Sequence, residues 1–574
     1  MNKNRSVLVV FDDALPRGLT EKYDEVITPD RLKDFVEPGN IYEASAFAEE
    51  LSRLKLPDGT RVSKSFTYKG YELWWMHYSS LFLYFCLPYT QYKKLLDCLK
   101  SFQNVYFYQP PYKSLFSYYL EAHGCKMNVL REPGFKSPSF LPFGILLQIL
   151  ITFLCLPVLV VRKRHLMVFI GDKFEKSQDY DFRMKFIYQE LRQRNTPFVE
   201  FIRSLESWKT VLRHVFVRKR PVIYSEGIAF LGRFASVISG GHYRAKRKYG
   251  ANTFASQTPE ARFKLLVATQ HLLSAYDDIW AIRIMKWILR AIGVKVAFFT
   301  ASMERNFHSV LGCKLNAIPT VGILHGVASK HYIVYDFLPA FDGEKMLSVD
   351  KYGLWSEWWR EYYIKNSKAY RPEQLYISGP MRPLERKNVQ STSIELQKKD
   401  GPIKVLLVPG ELSNPKEIIP YLLSLMDAKD ISVYITFRPY RDSFENWLKQ
   451  NNPQIIEKIG KEKILLGNIH DVISQCDVIV GSYSTGTLEA LLQLKPIVFF
   501  YTQKWGDYYG LKEYDKNSSF FAENPTELIE KIKKVRSIPS DTLKDLQERY
   551  FGDPYKNGSK WVVDQLEASL RNLD

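Results

Sequence analysis

The segment Asp477–Phe500, DVIVGSYSTGTLEALLQLKPIVFF, constrains this chain more than any other. Asp477–Val480 reads as a buried strand, Gly481–Gly486 as a hydroxyl-rich turn, the residues from Thr487 as a helix, and Pro496–Phe500 as a second buried strand. Strands that are apolar on both faces and joined through a helix belong to parallel sheets, and hence to the α/β class.

The turn also carries chemistry. A helix opening near Thr487 leaves its first N–H groups unpaired and presents its positive dipole end, while Ser482, Ser484, Thr485 and Thr487 add hydroxyl donors. That set suits a phosphate. Gly481 and Gly486 have the GxxxxG spacing of a Walker loop, but Thr487 and Leu488 stand where Lys and Ser/Thr are required, which disfavours a P-loop ATPase. The middle glycine of the GxGxxG fingerprint is missing as well. The same residues also suit a capped helix with no ligand.

The alternation continues on both sides. Lys404–Gly410, Ile431–Phe437 and Lys463–Leu466 read as further strands, so residues 401–574 make one Rossmann-like half ending in an amphipathic helix. His165–Gly171, Thr196–Ile202, Pro221–Tyr224, Val294–Thr300 and Pro319–Leu324 make residues 163–344 another half, whose strand ends should converge on one crevice. Residues 345–400 connect the two. Residues 1–135 open with the buried-strand pattern Ser6–Phe11 and form an extra N-terminal α/β unit to which no chemistry is assigned; Trp74, Trp75 and His77 read as core or interface.

Between that unit and the first half lies the hydrophobic segment 138–162. Leu141–Val161 is a run of 21 residues without a charge, roughly 31 Å as a straight helix and matched to a bilayer core. Arg162, Lys163 and Arg164 follow, yet Lys126, Arg131 and Lys136 make the other flank basic too, and Pro142, Gly144 and Pro157 punctuate the run. A re-entrant or in-plane anchor, a true span and an ordinary core helix all fit. Of the net charge of +18, half sits in residues 203–248, which hold eleven Lys/Arg against Glu206 and Glu226. A cationic stretch beside an apolar one suits an anionic membrane surface; no zinc-finger, RNP-like or helix-turn-helix pattern accompanies it, so nucleic acid is not expected as a partner. The six cysteines are scattered without zinc spacing and read as reduced thiols in a cytosolic setting.

Strand, Ser/Thr-rich turn, Leu488-Glu489-Ala490 and Lys495-Pro496-Ile497-Val498 resemble the donor-binding half of GT-B glycosyltransferases of the bacterial capsule and lipopolysaccharide type. Gly379-Pro380-Met381-Arg382 resembles the end of the passage linking the halves in such proteins, and Tyr550–Gly558 before the last helix resembles their tails, where that helix packs back toward the first half. The resemblance covers roughly residues 163–574 and extends distantly to polysialyltransferases and CDP-glycerol glycerophosphotransferases. It implies a GT-B fold, two Rossmann-like halves facing across a cleft, with a nucleotide-sugar as substrate, no cofactor and no metal. It places donor phosphate on Ser484, Thr485, Gly486 and Thr487 and ribose on Glu489. Gly410-Glu411-Leu-Ser413, after the first strand of this half, is placed to approach the donor from the other side of the crevice.

Glycosyl transfer requires charge stabilisation at the leaving phosphate and a base at the acceptor hydroxyl if configuration inverts. For the first, Arg438 in Thr436-Phe-Arg-Pro-Tyr-Arg-Asp442 joins the turn; relatives often carry His-Pro here, and an arginine holds phosphate but cannot donate a proton at neutral pH. For the base there are two candidates. His325 in Gly322-Ile-Leu-His-Gly326 resembles the "QHG" or "WHG" element of surface-polymer transferases, and Glu226 in Tyr224-Ser-Glu-Gly227 resembles half of an acidic-acidic-Gly motif. Asp179-Tyr-Asp181 has the DxD form of metal-dependent transferases but precedes a helix and reads as a capping loop.

The reading is therefore a membrane-associated glycosyltransferase at the cytoplasmic face of the plasma membrane, acting on a surface polysaccharide or lipid-linked glycan acceptor. A CDP-polyol polyolphosphotransferase, a nucleotide-sugar 2-epimerase and a non-catalytic assembly scaffold fit the same sequence features.

Overall fold

The computed structural model describes residues 5–12, 18, 20–132, 141–163, 166–170, 184–202, 208–217, 221–300, 307–326, 329–334, 336–382, 384, 401–410, 412–438, 442–515 and 517–571. Asp179, Asp181 and Glu411 lie outside them. The chain divides into two compact units, one of residues 1–353, 362–376 and 559–574, the other of residues 354–361 and 377–558.

The first unit contains two parallel sheets. In the smaller, β1 (Ser6–Val10) lies between β2 (Glu25–Ile27) and β5 (Asn104–Tyr108), with β6 (Lys126–Arg131) outermost beside β5. Between them in sequence comes a short antiparallel hairpin, β3 (Thr67–Tyr68) with β4 (Tyr71–Glu72). Val7 to Val10 are fully buried, which is why a five-residue apolar run is enough to seed this sheet. The helix Ile41–Arg53 starts at Asn40, whose Oδ1 accepts from the N–H groups of Tyr42 and Glu43 at 2.8 and 3.1 Å.

The larger sheet uses β7 (Leu166–Ile170), β8 (Phe198–Ile202), β9 (Val222–Tyr224), β10 (Val296–Phe299), β11 (Thr320–Ile323), β12 (Lys351–Leu354) and β13 (Leu375–Ile377) in the order β13-β12-β11-β10-β7-β8-β9. The chain winds outward from β7 to β9, returns to β10 at β7's other side, and winds out the opposite way. That reversal makes the β7/β10 boundary the switch point of a doubly wound sheet. β12 and β13 come from the expected connector.

Polar groups link the two sheets' surroundings. Trp74 Nε1 donates to the Ala268 carbonyl at 2.7 Å, and the buried Asp278 accepts from His77 Nε2 at 2.7 Å and His308 Nε2 at 2.9 Å. His271 stacks on His77 with centroids 4.7 Å apart. Trp74, Trp75 and Met76 are buried, so the aromatic stretch is core. The last helix, Gly558–Arg571, belongs almost wholly to this unit: Arg194 donates to Asp564 at 2.6 Å and Glu567 at 3.2 Å, and Lys351 to Gln565 at 2.9 Å.

The second unit is a single parallel sheet of β14 (Ile403–Val408), β15 (Ile431–Thr436), β16 (Ile464–Leu465), β17 (Val478–Gly481), β18 (Ile497–Phe500) and β19 (Phe521–Ala522), ordered β16-β15-β14-β17-β18-β19. Its switch point lies between β14 and β17. The fold class is α/β, as expected, with two doubly wound parallel sheets and an extra N-terminal parallel sheet.

Candidate functional site

The β14–β17 register sets Val408 beside Gly481, so the loops after these strands, 409–413 and 482–487, start as neighbours at the switch point. Ligands of open α/β sheets bind in the crevice at that position. Ser413 Oγ and Ser482 Oγ are 2.8 Å apart, and the Leu412 N–H donates to the Tyr483 hydroxyl at 2.6 Å, closing one loop onto the other. The Tyr483 ring lies flat on Trp505, centroids 3.9 Å apart and 14° from parallel. A Cβ on Gly410 would overlap that tyrosine ring. Gly410 is therefore a packing requirement of the crevice wall.

Gly481 is required for a similar reason, since a Cβ there would collide with the Thr487 side chain and stand 2.9 Å from the Val408 carbonyl oxygen. The absent side chain lets the next helix sit directly on the strand end. That helix is shorter than the sequence suggests. It is one α turn, Thr485–Leu488, capped by Ser484 and continued as a 3₁₀ stretch, Glu489–Gln493, because Leu494 turns left-handed (φ 53°) and leads into Lys495 and Pro496. A dipole summed over one turn is small, so the turn's capacity for an anion rests on its individual donors rather than on a long helix.

The donors are differently placed. Ser484 Oγ accepts from the Gly486 N–H at 3.3 Å, and the Ser484 carbonyl accepts from the Thr487 N–H at 3.1 Å. Ser484, Thr485 and Gly486 are partly exposed, whereas Ser482 and Thr487 are buried. Thr487 was expected to face a ligand; it faces the strand end beneath the turn instead.

Glu489 follows at once, with only 12% of its side chain exposed. His470, itself 6% exposed, donates from Nε2 to its Oε2 at 3.2 Å. Burial alone would push the Glu489 carboxyl up, but the Arg382 charge and the His470 bond and charge outweigh it, and it lies below its ordinary value of 4.5. The carboxylate is thus held ionised at neutral pH inside a mostly dry wall. Arg382 is the last residue of the Gly379–Arg382 passage; His470 was not singled out, because nothing in Asn468-Ile-His470 marks it apart from a helix start, which it also is. Lys495 of the Lys-Pro pair is used locally, donating to the Cys476 carbonyl at 2.9 Å.

A second residue missed from sequence is Lys504, which donates to the Leu412 carbonyl at 2.8 Å and lies 5.1 Å from the Trp505 ring centroid. Burial pulls its ammonium down from 10.5 to about 8, partly opposed by Glu417. Glu417 is itself raised by burial, with Gln503 N–H donating to Oε1 at 2.5 Å. Arg438 follows β15 and is exposed; its N–H donates to Asp442, which caps the next helix. β15 is two strand spacings from β17, about 10 Å.

In the first unit, His325 follows β11 and is half-buried, and Glu226 lies in the first turn of the helix Ser225–Ile238 after β9. β10, β7 and β8 separate β11 from β9, so the two candidate bases stand roughly 19 Å apart along the sheet edge. They do not form one site. His325 is the nearer to the β7/β10 switch point. Among the described residues no group of three His, Cys, Asp or Glu could hold a metal ion.

No protein-family model and no curated protein matches the chain. Among solved structures it is similar to UDP-GlcNAc 2-epimerase from Methanocaldococcus jannaschii, with TM-score 0.38, 11% identity, and coverage of 70% of this chain and 99% of that one. The wall teichoic acid polymerase TagF gives TM-score 0.38 and 10% identity over 72% of this chain and 90% of its own. MnaA of S. aureus, solved with UDP, gives 0.38 and 12% over 71% and 96%. All three likenesses are distant.

Proposed function

We propose that this protein is a glycosyltransferase of GT-B type that moves a sugar from a nucleotide-sugar to a surface polysaccharide or a lipid-linked glycan acceptor. The observation that supports this reading most is the crevice at the β14/β17 switch point. It joins a hydroxyl-bearing turn (Ser484, Thr485, Gly486), an ionised and mostly buried carboxylate (Glu489) and two cationic groups, Lys504 and Arg382, within one sheet's carboxyl edge. A nucleotide-sugar offers the complement: diol hydroxyls that donate to a carboxylate and phosphates that accept from hydroxyls, N–H groups and cations. Leaving-group charge would be neutralised by Lys504 and the turn, with Arg438 from the neighbouring strand. In the first unit, His325 is the residue we assign to take the acceptor proton, since an imidazole titrates near neutrality and lies nearer its switch point than Glu226.

The test is a thermal-shift screen of CMP, CDP, UDP, GDP and their sugars, followed by product analysis with the best donor. Ligand at about 100 times its Kd stabilises the native state by about 2.7 kcal/mol. A nucleotide diphosphate that raises the melting temperature, together with its release in the presence of a glycan acceptor, is the expected result. Release of nucleoside monophosphate from a CDP-polyol, with the polyol phosphate joined to the acceptor, would assign polyol-phosphate transfer, conversion of donor without acceptor would assign epimerisation, and no stabilisation by any nucleotide would refute the donor site.

A further inference from the structure

The helix Leu141–Arg162 is built inside out for a soluble protein. Its exposed apolar positions include Phe143, Leu146, Leu150, Leu154, Val158 and Val161, following the three-four spacing of a single helical face, with Phe153, Pro157 and Val160 on its flank. Its polar side chains, Gln148 and Thr152, are on the buried face one turn apart. Thr152 Oγ1 accepts from the N–H of Tyr224 at 3.1 Å, in β9, the edge strand of the large sheet. The helix is thus a structural cover on a sheet edge that would otherwise expose unpaired backbone groups. A spanning helix would have to abandon that edge and carry Gln148 and Thr152 into hydrocarbon.

The helix Ser225–Ile238 packs beside it without a gap: a Cβ on Gly227 would lie 3.3 Å from the Ile149 backbone nitrogen. It too is apolar outward, with Phe230, Phe234, Val237 and Ile238 between 43 and 72% exposed, while Gly227, Gly232 and Ser236 face inward. Two adjacent helices therefore present apolar outer faces where a soluble protein places charge. The charges are at the margins. Arg162 closes the first helix, Arg233 lies in the second, and the next helix, Gly241–Tyr249, exposes Arg244, Lys246, Arg247 and Lys248. Glu226 is the single acidic residue in the three helices.

We infer that these outer faces form an in-plane docking surface for an anionic lipid bilayer, the apolar stripes entering the acyl boundary and the basic residues meeting the headgroups. The charge pattern selects this occupant. A second copy of the chain would bring the same cations against one another, whereas an anionic leaflet complements them. The inference is independent of the reaction proposed above: nucleotide stabilisation tests the crevice, and vesicle binding tests this face.

The full-length protein should co-sediment with vesicles containing about one third phosphatidylglycerol and far less with pure phosphatidylcholine. Phe234→Glu with Ile238→Glu should lower the bound fraction about tenfold or more. Arg244→Glu with Arg247→Glu should weaken binding to the anionic vesicles and flatten its salt dependence. All four positions are exposed, so unchanged circular dichroism and an unchanged melting temperature are the controls for folding. Bound protein should transfer to added empty vesicles. Binding that survives the Phe234/Ile238 exchange, or no binding by the wild type, overturns the inference. So does a dimer in solution that the same exchange dissociates, which would make the face a self-association surface, and so does a failure to transfer, which would mean a spanning helix.

Discussion

Replacing Glu489 with Gln removes one negative charge from a mostly buried position and keeps the shape. Arg382 and the nearly buried His470 are then left facing a neutral amide. Breaking a fully buried ion pair costs about 3–5 kcal/mol, and Arg382 is only half-buried, so the expected loss is nearer about 2–3 kcal/mol, borne by the second unit. The sign with pH follows from the lowered carboxyl. Its contribution is fully present above the ordinary value of 4.5 and is lost as pH falls through the lower folded value, so wild type and variant should converge in acid. Hydrogen exchange at β17 and β18 amides isolates this unit from the other, and a 2 kcal/mol loss speeds globally exchanging amides about thirtyfold. His470→Gln combined with Glu489→Gln should cost less than the sum of the two single changes, with a coupling of about 0.5–3 kcal/mol. Additive effects, or a pH-independent difference between wild type and variant, would refute the picture of an ionised carboxylate held by these two partners.

Further changes test other parts of the same picture. Gly410→Ala drives a methyl into the Tyr483 ring stacked on Trp505, so it should destabilise the second unit by about 1–3 kcal/mol and abolish nucleotide stabilisation in thermal-shift assays. Lys504 loses its charge above about 8, so nucleotide stabilisation should decline between neutral and mildly alkaline pH, and Lys504→Arg should remove that decline. His271 is buried and held neutral, its imidazole driven well below 6.5 by desolvation and then by His77. The unfolded chain gains a proton below 6.5 that the folded chain does not, so the first unit should lose up to about 1.4 kcal/mol per pH unit there. His271→Phe should flatten that limb in urea titrations at pH 5 to 7.

Most strands of the two large sheets were legible because each is a short apolar run bounded by turn residues: Pro319–Leu324 contains β11, and Asp477–Val480 overlaps β17. The strands β2, β5, β6, β12, β13 and β19 were not; β2, β13 and β19 are only two or three residues long and carry no period of their own. Glu489 and Gly410 were placed by pattern, but the groups that tune them were not. His470 is 19 residues from Glu489 in sequence and 3.2 Å from it in space, and Lys504 reaches Leu412 across 92 residues. Local sequence reports propensity and burial; it does not report which distant charge a fold delivers. The 3₁₀ ending of the helix after the turn was not legible for a related reason. Leu488 to Leu494 has helical composition, and the left-handed Leu494 that tightens it into a 3₁₀ turn has no signature in a non-glycine residue.

The hydrophobic segment shows how a neighbouring strand bears on such ambiguity. Composition alone leaves anchor, span and core helix open for Leu141–Val161, because each needs a long uncharged helix. What separates them is the direction of the few polar side chains. Gln148 and Thr152 are four residues apart and share a face, so a helix that buries them must turn its opposite, wholly apolar face outward. In a core helix both faces would be covered, and in a span the polar pair would seek partners in other membrane helices. Here the pair's face covers the edge strand β9 and the other face is exposed from Phe143 to Val161. On the docking proposed above, the polar pair holds the helix to the protein, and the apolar stripe is what a bilayer surface would take up.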